Sequence, residues 1–364
     1  MTAPLARRRV LLCCNAMVHD EYAVGEGLAR LQRLADWEWL PSEGTSSRPG
    51  VWGGPSEDPA DAERLRVKLA QGAFEALIVC HGAPYIDGPL LDAAADLRLV
   101  GELEGDRFAN RIDTAACAAH GVRVVDTTHG SSLPVAEWAL ALMLVGLRNA
   151  AEHYRRLIAG EEYRRSSDDP GFRVGELTGQ TVGLIGLGHI GRRLIELLQP
   201  FHCRVLVHDP YVPKEVALAV GAQLTSLEHV MADADVVVCC APLTPRTQGM
   251  IGVGELDLLK PDSVFVNVSR GAIVDPEALI ARARRGDIRV CLDVFDPEPI
   301  PAASPIRDLP NVFLSPHIAG VTAACRPRFF SFMVDELERF FAGHETLFDI
   351  TPRTLANRRG LSTG

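Results

Sequence analysis

The sequence predicts an α/β protein with two doubly wound parallel sheets, each in its own domain. Short apolar runs rich in Val, Ile and Leu alternate with helical patterns along the 364 residues, and this alternation is typical of parallel strands covered by helices. The alternation stops once, at a long apolar helix and a polar stretch, and then restarts. A chain of this length can bury two cores, so the pause indicates a domain boundary.

The first run of elements contains four predicted strands, in RRVLLCC, EALIVC, LRLVG and VRVVD. Helical patterns such as AERLRVKLAQG and IDTAACAAHG separate them. The N-terminal MTAPLARRRVLLCCNAM has the basic start and apolar run of a signal peptide, but it lacks a small-x-small cleavage site and is interpreted as the first strand. The polar stretch 41–59 is interpreted as a surface loop.

The second run follows a helix predicted over 133–157 and the polar stretch GEEYRRSSDDPGFRVGEL. Its strands are predicted in TVGLIGLG, RVLVHD, DVVVCC, SVFVNV, IRVCLDV and VFLSP, and a closing helix over 326–341 is expected to return to the first domain. The apolar stretch 133–147 contains Glu137 and is shorter than the roughly 20 residues of a membrane span, so no membrane partner is expected.

Composition and charge favour a soluble protein with a small-molecule ligand. The formal net charge of -10 argues against nucleic acid as a partner, because a protein that tracks phosphates needs a basic surface. The 9 cysteines form no CxxC pair and most lie in apolar runs, so neither a disulfide framework nor a metal site is expected. These thiols indicate a reducing cytoplasm.

The stretch GLIGLGHIG directly follows a predicted strand and opens a predicted helix. Its glycines, Gly186, Gly188 and Gly191, permit a tight turn, close approach of a pyrophosphate and close helix–strand packing, while the first helical residues, His189 and Ile190, offer NH groups to the anion. Asp209 ends the next strand, where a carboxylate can accept both ribose hydroxyls and repel a 2′-phosphate. NAD is therefore the expected cofactor, although a glycine turn used only for packing is the alternative.

Three further strand ends carry polar residues at the edge where open α/β sheets bind ligands. Arg270 follows SVFVNV and could polarise a carboxylate or carbonyl, and His317 follows VFLSP and could transfer a proton near neutral pH. The stretch LDVFDPEP adds Asp293, Asp296 and Glu298. Each residue alone has a structural alternative, a surface ion pair for the arginine, a turn residue for the histidine and a solvated loop for the acids.

The ordered motifs GLIGLGHIG, PLTPRTQGMI, NVSRGAIVD, LDVFDPEP and SPHIAG resemble the D-isomer-specific 2-hydroxyacid dehydrogenase family, with similarity from about Leu97 to Gly320. The resemblance implies a flavodoxin-like substrate domain built from 1–127 and 319–364, and a Rossmann NAD domain over 128–318. It implies a catalytic triad of Arg270, Glu298 and His317, with no role for Asp296. The further cofactor contacts that it implies are Pro242, Thr247, Ser269, Asp293 and Gly320.

The chain departs from this family in the first domain. The family has a compact glycine-rich loop whose NH groups hold the substrate carboxylate, whereas this chain has the longer and charged GELEGDRFANRID. The expected substrate residues here are Glu102, Leu103 and Glu104, with His81 and Gly82 in the loop CHGAPYID. The two acids could recognise hydroxyls or an amine, or they could pair with Arg107 and Arg111.

The function that the resemblance implies is NAD-dependent interconversion of a 2-oxo acid and a D-2-hydroxy acid. Arg270 would polarise the substrate and the Glu298–His317 pair would carry the proton. Two alternatives use the same fold, a dinucleotide-sensing corepressor and a phosphite-type oxidation. A homodimer through the long apolar helix is also expected from the resemblance.

Overall fold

The computed structural model describes residues 7–44, 54–161, 175–320 and 322–359. The chain forms two compact units, the first built from Met1–Ser131 and Thr322–Gly364 and the second from Ser132–Val321. The predicted domain boundaries lie three or four residues from these divisions. Residues 45–53 of the predicted loop 41–59 and residues 162–174 of the polar stretch after the long helix lie outside the described residues, as do the first six and the last five residues.

The first unit contains a five-stranded parallel sheet in the order β2-β1-β3-β4-β5, which is the flavodoxin order. The strands are β1 (Arg9–Cys14), β2 (Asp36–Pro41), β3 (Ala76–Val79), β4 (Leu99–Glu102) and β5 (Arg123–Asp126). Strand β2 was not predicted from the sequence. It is an edge strand whose central residues are only half-buried, so it lacks the continuous apolar pattern of the other four.

Five helices connect these strands: α1 (Ala16–Tyr22), α2 (Gly25–Leu34), α3 (Pro59–Gly72), α4 (Gly88–Asp92) and α5 (Thr114–Ala119). Three of them begin at aspartates that cap the first turn. Asp58, Asp87 and Asp113 each accept a hydrogen bond from a backbone NH of the helix that follows. The caps therefore mark where each crossover leaves its loop and begins to cover the sheet.

The second unit contains a seven-stranded parallel sheet in the order β12-β11-β10-β9-β6-β7-β8. Its strands are β6 (Thr181–Ile185), β7 (Arg204–His208), β8 (Ala222–Leu224), β9 (Val236–Cys239), β10 (Val264–Asn267), β11 (Arg289–Leu292) and β12 (Val312–Leu314). The order reverses between β6 and β9, as in a Rossmann fold. The three-residue edge strand β8 was not predicted.

The helices of the second unit are α6 (Ser132–Leu147), α7 (Ala150–Ile158), α8 (His189–Leu198), α9 (Lys214–Ala219), α10 (Leu227–Asp233), α11 (Val253–Asp257) and α12 (Pro276–Ala283). The single helix predicted over 133–157 is wrong, because the chain breaks between α6 and α7. Asn149 adopts a left-handed conformation (φ 48°) and its side-chain amide donates to Glu152, which starts a new helix.

The helical stretch Thr128–Leu147 is long and apolar enough to cross a membrane by length and composition. More than half of its apolar window, 56%, is buried inside the protein. Ala136, Ala139, Leu142 and Met143 have no exposed surface and pack in the core of the second unit. The core helix of a soluble protein passes the same test of length and composition.

Two helices at the C-terminal end complete the first unit, α13 (Arg326–Phe341) and α14 (Pro352–Arg358). Helix α13 covers one face of the five-stranded sheet with Phe330, Met333 and Leu337, which are fully buried. Helix α14 buries Leu355 in the core on the other face of the sheet.

Candidate active site

The glycine-rich turn lies between β6 and α8. Gly186 has a φ of +102°, and a Cβ at this position would lie 2.9 Å from the backbone N and Cα of Ala241, in the loop after β9. Gly188 is the N-cap of α8 and, having no side chain, makes no side-chain cap hydrogen bond to the first turn. Both features suit a pyrophosphate that approaches the backbone closely at a helix N-terminus.

Asp209 follows β7 and is half-buried beside this turn. One carboxylate oxygen accepts a hydrogen bond from the Leu187 NH at 2.8 Å, and the other accepts from the Tyr211 NH at 3.0 Å. A carboxylate has about four lone-pair sites, so Asp209 retains capacity for two hydroxyl donors. The described residues around the turn therefore fit the pyrophosphate and the unphosphorylated ribose of NAD.

The other predicted cofactor contacts lie in the loops after β9 and β10. The Thr247 hydroxyl donates to the Pro242 carbonyl at 2.6 Å, and the Ser269 hydroxyl donates to the Ala241 carbonyl. Gly320 lies in the loop after β12, next to the buried Ala319. These contacts shape loops at the same edge of the sheet as the glycine turn.

Asp293, at the end of β11, is completely buried and holds the loop after β12. It accepts hydrogen bonds from the Ser315 hydroxyl at 2.6 Å, the Ile318 NH at 3.1 Å and the Ala319 NH at 2.9 Å. The Trp138 indole NH in turn donates to the Ser315 hydroxyl at 3.1 Å. The carboxylate thus orients the segment that carries His317.

Arg270 lies three residues after β10, where its conformation is set by neighbouring backbone. Its carbonyl accepts from the Asn267 amide at 3.1 Å, and its guanidinium donates to the Ser269 carbonyl at 2.8 Å. At Gly271 an added Cβ would lie 1.9 Å from the Phe295 carbonyl group, so only glycine allows the loops after β10 and β11 to touch. This contact joins the loop of Arg270 to the loop of Glu298.

His317 and Glu298 form a hydrogen-bonded pair, with 2.5 Å between His317 Nδ1 and Glu298 Oε1. A carboxylate can only accept, so Nδ1 carries the hydrogen and Nε2 is the ring atom that can exchange a proton with a ligand. About three tenths of each side chain is exposed. Asp296, in the same acidic loop, is exposed.

In the first unit the predicted substrate residues divide into two sets. Glu102 and Leu103 have no exposed surface, and the Glu102 carboxylate accepts from both the guanidinium and the backbone NH of Arg111. That carboxylate is therefore engaged inside the protein, as the arginine-pairing alternative predicts. Gly82, at φ +89°, packs against the Ser42 backbone.

Glu104 is partly exposed and has different partners. It accepts from the Tyr22 hydroxyl at 2.6 Å and from His81 Nε2 at 2.7 Å, and His81 Nδ1 lies 3.0 Å from the Arg111 guanidinium. Burial opposes ionisation of Glu104, but the hydrogen bonds from His81 and Tyr22 and the Arg111 charge hold its pKa below the usual range. We call Tyr22, His81, Glu102, Glu104 and Arg111 the Glu104 cluster.

Sequence reasoning missed Tyr22 and Asp126. Asp126 ends β5 and accepts hydrogen bonds from Thr128 and from the Ala109 NH, within the charged loop. Burial, with the Glu102 charge acting in the same direction, raises the pKa of Asp126 to about 6. A strand-end acid was the signal that singled out Asp209, and VRVVD carried the same signal. No local pattern marks Tyr22.

No group of three or more His, Cys, Asp and Glu side chains that could hold a metal ion occurs among the described residues. All 9 cysteines are free thiols. Burial keeps the pKa of Cys240, beneath the glycine turn, above its usual range, so this residue is a protonated thiol whose hydrogen points to the Gly186 carbonyl at 3.2 Å. The chemistry at this edge therefore depends on the arginine, the histidine and the carboxylates.

Residues 140–319 match the family model described as D-isomer specific 2-hydroxyacid dehydrogenase, NAD binding domain. Among curated relatives, a glyoxylate reductase from Aeropyrum pernix is 34% identical over 75% of this chain and 80% of its own length. A mitochondrial formate dehydrogenase from Solanum tuberosum is 33% identical over 72% and 68% of the two chains. A D-3-phosphoglycerate dehydrogenase from Methanocaldococcus jannaschii is 31% identical over 73% of this chain.

The chain spans about half the length of the phosphoglycerate dehydrogenases that it matches, 50% and 46%. Among solved structures, D-mandelate dehydrogenase from Rhodotorula graminis has the same fold, with a TM-score of 0.75, 23% identity and coverage of 94% and 97% of the two chains. The family model covers the seven-stranded unit with its glycine turn, and the glyoxylate reductase is matched over four fifths of its length. The chain therefore belongs to the D-isomer specific 2-hydroxyacid dehydrogenase family.

Proposed function

We propose that this protein is an NAD-dependent oxidoreductase that interconverts a 2-oxo acid and a D-2-hydroxy acid. The observation that carries the proposal is the hydrogen bond between His317 and Glu298. These residues follow the neighbouring strands β12 and β11, and Arg270 follows β10, which pairs with β11. The carboxyl ends of parallel strands share one edge, so an acid–base pair and a cation are gathered at the edge that also bears the glycine turn.

The Glu298–His317 pair can hold and release one proton at a defined atom. With Nδ1 donating to Glu298, Nε2 carries a second proton in the imidazolium, and the carboxylate stabilises that positive charge. In reduction, Nε2 donates its proton to the carbonyl oxygen of the oxo acid. In oxidation, Nε2 takes the proton from the hydroxyl group. When bound, the nicotinamide supplies or accepts the hydride.

Arg270 is proposed to bind and polarise the substrate. Its guanidinium is always charged and presents paired NH groups that match a carboxylate or an adjacent carbonyl oxygen. The charge would favour the negative oxygen that develops as the carbonyl is reduced. The proposed partner is therefore a small 2-oxo or 2-hydroxy acid, with neither nucleic acid nor membrane required.

The acid–base pair argues against formate as the substrate. Oxidation of formate to carbon dioxide transfers a hydride and leaves no proton to be taken from a hydroxyl group. A histidine fixed by a carboxylate would have no proton to carry in that reaction. Phosphite oxidation and dinucleotide sensing by a corepressor are the alternatives that remain, and neither is favoured by a contact within the described residues.

A cytoplasmic homodimer is part of the proposal.

The decisive experiment is a panel of 2-oxo acids incubated with the full chain and NADH, with formate and phosphite tested in parallel with NAD. We expect loss of NADH absorbance with at least one oxo acid, and a product that chiral separation identifies as the D-hydroxy acid. NADH binding without turnover of any panel member would favour the corepressor, and turnover of phosphite alone would favour that oxidation.

A further inference from the structure

Trp138 lies in the middle of α6, and its indole ring packs against the core of the second unit. The ring carries one polar group, the Nε1–H, which can only donate a hydrogen bond. This group donates to the Ser315 hydroxyl at 3.1 Å, and Ser315 is two residues before His317 in the chain. A helix that covers the sheet therefore contacts the loop of the proposed proton donor through one directed hydrogen bond.

The direction of the next hydrogen bond follows from the first. Because the indole only donates, the Ser315 oxygen accepts from Trp138, and its single hydrogen is available to another acceptor. Two acceptors lie within reach, Asp293 Oδ1 at 2.6 Å and the Leu292 carbonyl oxygen at 3.4 Å. The much shorter contact places the hydrogen on the side of Asp293. Three side chains thus form a chain of hydrogen bonds from α6 to the end of β11.

The far end of this chain holds the backbone that follows His317. Asp293 Oδ1 also accepts from the Ile318 NH at 3.1 Å, and Oδ2 accepts from the Ala319 NH at 2.9 Å. His317 itself has a φ of 53°, a left-handed conformation that residues other than glycine rarely adopt. Such a conformation persists only where the surrounding structure holds it. The two NH groups bound by Asp293 provide that restraint.

The position of His317 Nε2 depends on two restraints. One is the hydrogen bond from Nδ1 to Glu298, at 2.5 Å, which holds the ring. The other is the left-handed backbone, which determines where the ring begins. Loss of the second restraint would move the imidazole even though its own side-chain partner is still present. A misplacement of about 1 Å can lower a reaction rate by about 10²-fold, so the backbone restraint matters for proton transfer.

We propose that Trp138 and Ser315 are positioning residues for proton transfer by His317. They act through Asp293. The indole fixes the hydroxyl, the hydroxyl fixes one carboxylate oxygen, and the carboxylate fixes the backbone that directs the imidazole. Neither Trp138 nor Ser315 has to touch substrate or cofactor for this role. The inference rests on the proposed function, because the proton that His317 carries belongs to that reaction.

The kinetic test uses two variants and their combination. Ser315→Ala removes the hydroxyl and should lower kcat by about 10- to 100-fold, and Trp138→Phe keeps an aromatic ring without the NH and should lower it by about 10-fold. KM for the oxo acid and Kd for NADH should stay close to the unmodified values, because the lost contribution is made in the transition state. The double variant should be no slower than Ser315→Ala, because Trp138 acts through Ser315.

Asn311→Ala is the matched control. Asn311 is buried at the amino end of β12, the strand that Ser315 follows, and its amide donates to the Ala283 and Ile288 carbonyls at 2.9 and 2.8 Å. Loss of these hydrogen bonds should lower the free energy of unfolding but leave kcat unchanged. The comparison separates a loss of stability in this strand from a loss of positioning at its other end.

A second measurement needs no turnover. Amide hydrogen exchange at Ile318 and Ala319 reports directly on the two NH groups that Asp293 holds. Exchange at these two positions should be faster in Trp138→Phe and in Ser315→Ala than in the unmodified protein, whereas Asn311→Ala should keep the unmodified rate.

The outcomes separate the two proposals. Absence of turnover with every oxo acid would end the proposed function and the role in proton transfer, while the exchange measurement would still decide whether Trp138 holds the loop. Unchanged exchange in both variants would overturn the positioning role even in an active enzyme. Faster exchange with unchanged kcat would overturn it as well, and additive losses in the double variant would show that Trp138 does not act through Ser315.

Discussion

At the residue scale, the strongest expectation concerns His317. Its Nε2 atom is the proposed proton donor, so His317→Ala should lower kcat by about 10² to 10⁴, the usual effect of losing a positioned acid–base group. Glu298→Gln should have a smaller effect, since the amide oxygen still accepts the Nδ1 hydrogen but carries no charge. Steady-state kinetics with the best oxo acid provide the measurement. Asp296→Asn is the control, and a loss of activity there would show that the wrong carboxylate had been chosen.

The residue types at the strand ends could be predicted from the sequence, but the contacts that each residue makes could not. LDVFDPEP contains three acids, and only the structure shows Asp293 buried under the loop of His317 and Glu298 against the imidazole. Glu102 and Glu104 are two positions apart, yet one is engaged by Arg111 and the other is partly exposed. Burial and direction depend on tertiary packing, which no local pattern encodes.

Asp126 predicts a pH dependence of stability. The pKa of its buried carboxyl is about 6 in the folded protein against an ordinary 3.8, and its charged neighbours are Glu102 and Arg358. The folded state binds the Asp126 proton more tightly than the unfolded state does. The stability that this proton provides is therefore complete below pH 3.8 and is lost as the pH rises through about 6. Two pKa units correspond to roughly 3 kcal/mol as an upper limit.

Urea unfolding between about pH 4 and 7 tests this dependence. Asp126→Asn cannot ionise, so the free energy of unfolding of the variant should fall less steeply over this range than that of the unmodified protein. Asp96→Asn, a change at an exposed aspartate of the same unit, should leave the slope unaltered. Parallel curves for the unmodified protein and Asp126→Asn would contradict the assignment.

At the element scale, the sequence predicts the buried strands well and the peripheral elements poorly. Strands with both faces covered are continuous apolar runs, whereas the edge strand DWEWLP alternates charge and aromatic residues and AQL has only three residues. The break between α6 and α7 depends on one asparagine in a left-handed conformation. Predicting such features requires knowing which neighbouring elements cover each face of a strand or helix.

Helix α14 is expected to hold the charged loop 101–113. The Arg358 guanidinium donates to the Arg107 carbonyl at 2.8 Å, and the Arg359 guanidinium lies over the Phe108 ring at 6.0 Å. Arg358→Ala should therefore accelerate amide hydrogen exchange in residues 105–111 several-fold. The exposed Arg353 on the same helix provides the control variant Arg353→Ala. Unchanged exchange in the loop would show that α14 only closes the core.

At the scale of the whole molecule, the order of elements carries the fold. Alternating strands and helices predict two parallel sheets, and the observed orders, with one reversal in each sheet, are those of the flavodoxin and Rossmann folds. The return of the C-terminal chain to the first unit follows from helix α13, whose apolar face needs a partner. The division at Ser131 lies within the stretch THGSS, and the division at Val321 directly follows SPHIAG. No periodicity marks a boundary in either stretch.

The two units should respond differently to cofactor. The glycine turn and Asp209 belong to the second unit, so NADH at 100 times its Kd should stabilise that unit by about 2.7 kcal/mol, a rise in its Tm of about 5–10 °C. NADPH at the same concentration should stabilise it less, because its 2′-phosphate would face the Asp209 carboxylate. Differential scanning calorimetry, with hydrogen exchange to assign each transition to a unit, gives the measurement.

Asp209→Ala should narrow the difference in stabilisation between NADH and NADPH. It should do so by weakening the effect of NADH, because the Asp209 carboxylate also holds the Leu187 and Tyr211 NH groups. Asp233→Ala changes an exposed aspartate of the same unit and should preserve the difference between the two cofactors. Equal stabilisation of the unmodified protein by the two cofactors would remove Asp209 from the ribose site.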